Sequence, residues 1–298
     1  MNQQQHRVGL LITCMAPLAW SLSGLFTRAI STDLMALLFW RGLFSGTSVF
    51  IAFFLLERGQ AWASLQKLRW PAIAVAVLSA GGMITGIGSL RYGSIADAMV
   101  IYATVPFITA GLAYVTIGEK PSRSTLIASA IALAGVLIML VGSGFGGGTM
   151  FGKILALAMT FCMASFSVLL RQNRDVPMLP AMAASAYLAA FFCFWFADSL
   201  KVSTQDIVLI GLFGVVQNAA GLVFYTLGSR LVPAAEATLI AALEVPLTPL
   251  WVWIFISEVP KGPTLIGGAV VLVALFGHIY IELRGRTPAQ LEGFQVGP

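Results

Sequence analysis

The chain has 298 residues, 58% of them hydrophobic and only 10% charged, with a mean hydropathy of +0.91. A soluble domain carries about 25% charged residues, so this composition cannot dress a water-facing surface, and 20 Phe with no long polar tract exclude low-complexity disorder. The net charge of +5 comes without a basic face interleaved with exposed aromatics, which excludes nucleic acid as a partner. What remains is a polytopic membrane protein, with the lipid bilayer as its solvent.

A bilayer-crossing helix needs roughly 20 mostly apolar residues. In chain order the sequence predicts ten such runs: 8–29, 34–56, 70–90, 95–117, 123–143, 151–170, 178–198, 207–228, 235–256 and 263–283. Connections are short, and the tail 284–298 is polar and reads as flexible. The first run follows Met1–Arg7 but is too long for a signal-peptide core and lacks a small-residue cleavage site, so it reads as an uncleaved span. Cys14, Cys162 and Cys193 all fall inside apolar runs and read as small buried hydrophobes rather than a disulfide framework. His6 and His278 are the only imidazoles, with no clustered carboxylates, so the sequence implies no metal, no cofactor and no catalytic constellation.

Ten spans put both termini on one side, and the positive-inside rule chooses which. With the N-terminus cytoplasmic, the inside carries Arg7, Arg58, Lys67, Arg69, Lys120, Arg123, Arg171, Arg174, Arg230, Arg284 and Arg286. The outside carries Arg28, Arg91, Lys153, Lys201 and Lys261. Both termini are therefore expected in the cytoplasm.

Shifting the chain by 139 residues aligns Gly82 with Gly221, Arg91 with Arg230, Asp97 with Glu236, Glu119 with Glu258 and Pro121 with Pro260. Val105-Pro106 and Val245-Pro246 miss that register by one residue. Chance matches of Ala and Leu do not account for shared Arg, acid and Glu-x-Pro positions. The expected organisation is a first five-helix repeat at 1–143, a glycine-rich connector at 144–150 and a second repeat at 151–283. Five is odd, so the second copy enters the membrane from the other side. Inverted repeats are a recurring plan of secondary transporters, with substrate bound near the midplane between the halves. A channel or an embedded enzyme could be built on repeats as well, but alternating access explains this plan most simply.

Pro106 lies midway along the fourth run, and Pro246 with Pro249 midway along the ninth. Proline removes a donor and leaves a carbonyl unbonded, so these three positions are expected hinges; simple tolerated kinking is the plainer alternative. Glu244 is the single acid well inside a run, and intramembrane ionisable groups mark functional sites by default. It can hold a coupling proton or meet a substrate ammonium; the plainer alternative is a protonated Glu donating to a nearby carbonyl. Asp97 and Glu236 open their helices, where a carboxylate caps free amides, and are expected to pair with Arg91 and Arg230. Arg41 is expected to reach the interface or to pair with Asp33, and His278 to be satisfied locally.

A polar-aromatic set shares mid-span depth: Trp20, Ser21, Ser23, Tyr102, Ser165, Tyr187, Gln217 and Asn218. Ligand pockets are mostly apolar with a few placed polar groups. Met83, Met99, Met159 and Met163 can make such a wall adaptable. Core or lipid-facing filler is the plainer alternative for each. Trp40, Trp62, Trp70 and Trp195 sit near run ends and read as interfacial anchors. Gly42-x-x-x-Gly46 and Gly82-x-x-x-Gly86 read as close helix packing. Surface small-residue patches permit a dimer without requiring one, and a monomer suffices.

Ala19-Trp20-Ser21 with Phe26, Phe39-Trp40-Arg41, Val105-Pro106, Gly118-Glu119-Lys120-Pro121 and the echo Ser257-Glu258-Val259-Pro260 together resemble the drug/metabolite transporter superfamily, in its ten-span EamA-type branch. The resemblance covers essentially the whole chain. It implies an all-α integral membrane protein, with spans one to four and six to nine around a central cavity and spans five and ten at the periphery. In overall character the chain looks like the aromatic amino-acid exporters of bacterial inner membranes. The short four-span exporters of the superfamily carry an acid in their first helix, and the first run here has none. That departure argues against their proton-exchange mechanism here. From the resemblance, the inverted repeat and the mid-span aromatic and amide residues, the expected substrate is a small molecule: an amino acid, preferably aromatic, or a related metabolite. The competing expectation is a cation or drug handled by Glu244.

Overall fold

The computed structural model describes residues 3–57, 59–66, 68–92, 95–141, 149–257 and 261–284. Most of the glycine-rich connector and the tail 285–298 lie outside them. The described residues form an all-helical, ten-helix membrane protein. Nine stretches are long and apolar enough to cross a bilayer, and the shorter Arg123–Met139 is the tenth. Lipid, not water, accounts for side chains such as Val115 and Val273, 81% and 73% exposed on the outer surface.

The first span is two helices, α1 (Gln3–Trp20) and α2 (Ser23–Ala29), broken at Ser21-Leu22. It is followed by α3 (Leu34–Glu57), a short connecting α4 (Ala61–Gln66) and α5 (Trp70–Tyr92). The fourth span is broken as well, into α6 (Ile95–Tyr102) and α7 (Val105–Ile117), before α8 (Arg123–Val141). In the second half, α9 (Met150–Gln172) and α10 (Leu179–Phe196) are continuous. The eighth span joins α11 (Thr204–Leu212) to α12 (Ala220–Gly228) through a π-helical segment, Phe213–Ala219, and ends in a 3-10 turn, Ser229–Leu231. The ninth splits into α13 (Ala234–Ala241) and α14 (Glu244–Ile256), and α15 (Gly262–Arg284) closes the bundle.

The breaks in spans four and nine, at Ala103-Thr104 and Ala242-Leu243, fall two to four residues before the expected hinge prolines Pro106 and Pro246. Pro106 lacks the amide that would bond the Tyr102 carbonyl, and Pro246 the one that would bond Ala242. The helix opens just after that residue, the Ala242 carbonyl being met instead by the Val245 amide at 3.2 Å, and each proline lies in the first turn of the next helix, where its fixed φ is favourable. Pro249 lies inside α14, which continues through it. The breaks in spans one and eight carry no mid-span proline at the break itself, and sequence pattern does not anticipate them.

Helices pack in a repeating scheme. α3 lies along α10 and α8 along α15, while α5 packs on α9 as α1 packs on α12. Exchanging the five spans of 3–141 in order for those of 149–284 maps each pairing onto itself or onto the other. Small residues permit these approaches, as the Gly-x-x-x-Gly pairs predict. A Cβ at Gly42 would lie 2.7 Å from the Ala186 carbonyl oxygen, and one at Gly86 2.7 Å from the Met159 sulfur. At the α8–α15 contact, a Cβ on Gly267 would overlap the Gly135 carbonyl oxygen and sit 2.5 Å from the Met139 amide nitrogen. Gly277, on the same helix, has nothing within 4 Å.

Overpacking a close helix contact costs about 1–3 kcal/mol. Gly267→Ala therefore lowers the melting midpoint of the detergent-solubilised protein, whereas Gly277→Ala leaves it unchanged or slightly higher. Equal melting of the two variants would contradict this packing.

Candidate functional site at the helix breaks

The three broken spans meet in the bundle interior. Trp251 of α14 donates its indole N–H to Ser21 Oγ at the first break, 2.8 Å away, and Ser21 in turn donates to the Leu18 carbonyl. α7 packs on α13, and Tyr102, at the end of α6, lies close enough to Glu244 and Tyr225 for their charges to interact. Trp20 packs against Tyr225 with ring centroids 5.2 Å apart, and Phe166 stacks on the same ring at 5.8 Å. The Tyr225 hydroxyl shares a 2.7 Å hydrogen bond with Ser167. Gly221 makes the arrangement possible, since any Cβ there would overlap the Trp20 indole.

Several expected site residues are half-buried: Trp20, which belongs to this cluster, and Ser23, Met83, Ser165 and Glu244. Met99, Met159 and Met163 are also half-buried, packed against the edge of the main core. Glu244 opens α14 directly after the ninth-span break. Its carbonyl accepts from Thr248 at 2.8 Å, and no hydrogen bond to its carboxylate occurs among the described residues. A carboxyl group without such a bond beside an aromatic cluster can receive a cation, an ammonium or a proton.

Gln217 and Asn218 are placed differently. Both are buried in the π-helical segment and both serve Arg41, whose Nη2 donates to Gln217 Oε1 and Asn218 Oδ1, each at 3.0 Å. Asn218 donates to Ser45 at 2.7 Å and Gln217 to the Trp20 carbonyl at 3.2 Å. The guanidinium lies over the Phe213 ring, 4.6 Å from its centroid. Arg41 thus neither reaches the interface nor pairs with Asp33, which instead accepts from the Met35 and Ala36 amides at the start of α3. A side chain one-third along α3 is too deep to leave the bundle, and the wide turn of the π segment presents two amide oxygens to it. The result is a polar knot joining spans one, two and eight just beside the aromatic cluster.

Tyr187 is not part of the site. It is 37% exposed on the outer face of α10, against Gly46 and hydrogen-bonded to Thr47 at 2.9 Å. Trp62, Trp70 and Trp195 are exposed near helix ends, as anchors should be, but Trp40 is half-buried and donates to the Leu200 carbonyl at 3.1 Å.

Glu236 and His278 also depart from expectation. Glu236 lies in the first turn of α13, completely buried, with His6 and His278 beside it and not Arg230. The first free amide of α13, at Ala234, is instead capped by Glu119, 2.8 Å away, which also pairs with Arg171 at 2.9 Å. The side chains of Asp97 and Arg91 lie outside the described residues. Tyr225, Arg41 and Ser167 are the interior residues that sequence reasoning did not assemble.

Comparison with known proteins agrees with this architecture. The chain belongs to the EamA-like transporter family, whose description matches twice, at residues 7–141 and 150–280. The pseudopaline exporter CntI of Pseudomonas aeruginosa is 24% identical over 276 residues, covering 89% of this chain and 94% of its own. An uncharacterised transporter of Vibrio cholerae is 25% identical over 257 residues, covering 77% of this chain and 78% of its own. One solved crystal structure superposes with a TM-score of 0.79 at 20% identity, covering 93% of this chain and 99% of that one, a likeness of fold.

Removing Arg41 would orphan two buried amide oxygens, a loss of about 3 kcal/mol. Arg41→Leu therefore melts well below the wild type in detergent, while Tyr187→Phe, on the outer face, changes melting by about 1 kcal/mol or less. Similar melting of both variants would contradict the knot.

Proposed function

We propose that the protein is a secondary transporter that exports amino acids, preferably aromatic ones, and related small metabolites by alternating access. The carrying observation is the meeting of three helix breaks around Trp20, Tyr102, Tyr225 and a Glu244 carboxylate that has no hydrogen-bond partner among the described residues. Two five-span halves in inverted orientation, 1–143 and 151–283, are supported by the shared register and by packing that is preserved when the halves are exchanged. Both termini lie in the cytoplasm of a bacterial inner membrane, on the bias of basic residues.

In this account the substrate's ring packs against Trp20 and the methionine edge, and its ammonium meets Glu244. The α6–α7 and α13–α14 breaks, with Pro106 and Pro246 behind them, let each span's two parts move separately. Gln217 and Asn218 act through Arg41, holding the eighth span against the first, and do not touch the ring. Trp20, Ser23, Met83, Tyr102 and Ser165 form the wall.

Purified protein in liposomes loaded with phenylalanine exchanges external labelled phenylalanine saturably, and Trp20→Ala lowers that exchange about tenfold or more through the lost aromatic contact. Exchange of another metabolite class with no amino acid moved would overturn the substrate claim.

A second reading, export of organic cations or drugs, draws on the same partnerless Glu244. It predicts that Glu244→Gln reduces quaternary-cation efflux by roughly thirtyfold, equivalent to about 2 kcal/mol for a buried charge pair losing one member. Unchanged cation efflux in that variant would remove this reading.

A further inference from the structure

Arg41 uses only part of its hydrogen-bonding capacity within the chain. The residue is buried, 4% exposed, and its Nη2 is taken by the Gln217 and Asn218 side-chain oxygens of the π-helical segment. Nε and Nη1 are shut off from the surface as well, yet neither has a hydrogen-bond partner among the described residues. The groups around them supply no counter-charge. The Phe213 ring covers the guanidinium at 4.6 Å, and the Cys193 thiol of α10 lies within electrostatic range. Among the described residues no carboxylate pairs with Arg41, and Asp33 is engaged by the Met35 and Ala36 amides. Arginine does not escape burial by losing its proton. A buried cation held by neutral oxygens alone is incompletely compensated, and its remaining planar N–H donors suit a carboxylate.

The knot adjoins the aromatic cluster. Gln217, which accepts from Arg41, donates to the Trp20 carbonyl, and the Trp20 ring packs on Tyr225. Phe213, over the guanidinium, stacks on Phe26 of α2 with centroids 5.1 Å apart. Both parts of the broken first span therefore lie within one side chain of Arg41. Glu244 stands beside the same cluster, within electrostatic range of Tyr102. An α-amino acid carries its carboxylate and its ammonium on one carbon next to the side chain. It thus offers an opposite charge to Arg41 and to Glu244, and an aromatic side chain to Trp20.

We propose that Arg41 is the receptor for the substrate's carboxylate: Nη2 stays on Gln217 and Asn218 and holds the guanidinium in place, while Nη1 and Nε donate to the incoming carboxylate oxygens. Satisfied on one side, Arg41 ties the spans together; open on the other, it selects an anion. The proposal rests on the amino-acid reading of the same site and adds its second charged contact. It makes the carboxylate, and not the ring alone, a condition of tight binding.

Binding to the full chain in lipid nanodiscs, read by titration calorimetry, tests this with three probes that share one ring: phenylalanine, 3-phenylpropionate, which lacks the ammonium, and phenethylamine, which lacks the carboxylate. The wild type is expected to bind phenylalanine about thirtyfold or more tightly than phenethylamine, the loss that follows when one member of a buried charge pair is removed. Arg41→Gln brings the two to equal affinity. Arg41→Lys, used should Arg41→Gln not fold, keeps a charge without the planar donors and shrinks the preference about tenfold. If 3-phenylpropionate binds in an Arg41-dependent way while phenylalanine does not bind, the carboxylate receptor stands and the amino-acid reading falls. Equal wild-type affinity for phenylalanine and phenethylamine overturns the receptor. So does a full wild-type preference retained in either variant, or failure of both carboxylates to bind.

Discussion

No water is available in hydrocarbon to take up a free backbone group, and each unsatisfied one costs several kcal/mol. A membrane helix can break only where protein covers the break. Two of the breaks are covered the same way: Ser21 donates to the Leu18 carbonyl and Thr104 to Ile101 at 2.6 Å. These hydroxyls patch the opened turns from within the chain, and the packing of spans one, four and nine hides the rest. Because breaks survive only when they face one another, they define the bundle's interior and hence the site.

The polar interior divides into two unlike centres. Arg41 is satisfied in part by neutral amides of the π segment in the eighth span, and it holds three spans together. Among the described residues the Glu244 carboxylate has no such partners, and it stands at the edge of the aromatic cluster. A bound cation with neutral partners is a structural tie, whereas a carboxylate with none leaves its interactions to an incoming solute. The difference in role follows from the difference in satisfaction, not from burial.

Spans were legible from run length because lipid imposes a minimum of about 20 apolar residues. Pro106 and Pro246 marked two of the broken spans, but the break itself was displaced, since the bond a proline loses belongs to the carbonyl four residues earlier. The first-span break at Ser21-Leu22 has no such marker. Long-range polar contacts were not legible. Arg41 has Asp33 as its nearest acid in sequence, yet its acceptors lie 176 and 177 residues away. His6, Glu236 and His278 share no motif and no periodicity, and only the packing of α1, α13 and α15 joins them. Tyr225 looked like one aromatic among many until the Gly221 gap placed Trp20 on it.

The central claim is that the helix breaks line a cavity that opens to each side in turn. A cysteine at Thr104, in the α6–α7 break, tests this most directly when probed with a membrane-impermeant maleimide in right-side-out and inside-out vesicles. The account predicts labelling from both sides, slowed by saturating phenylalanine. A Thr104→Cys site that reacts from neither side, or from one side only, would contradict it.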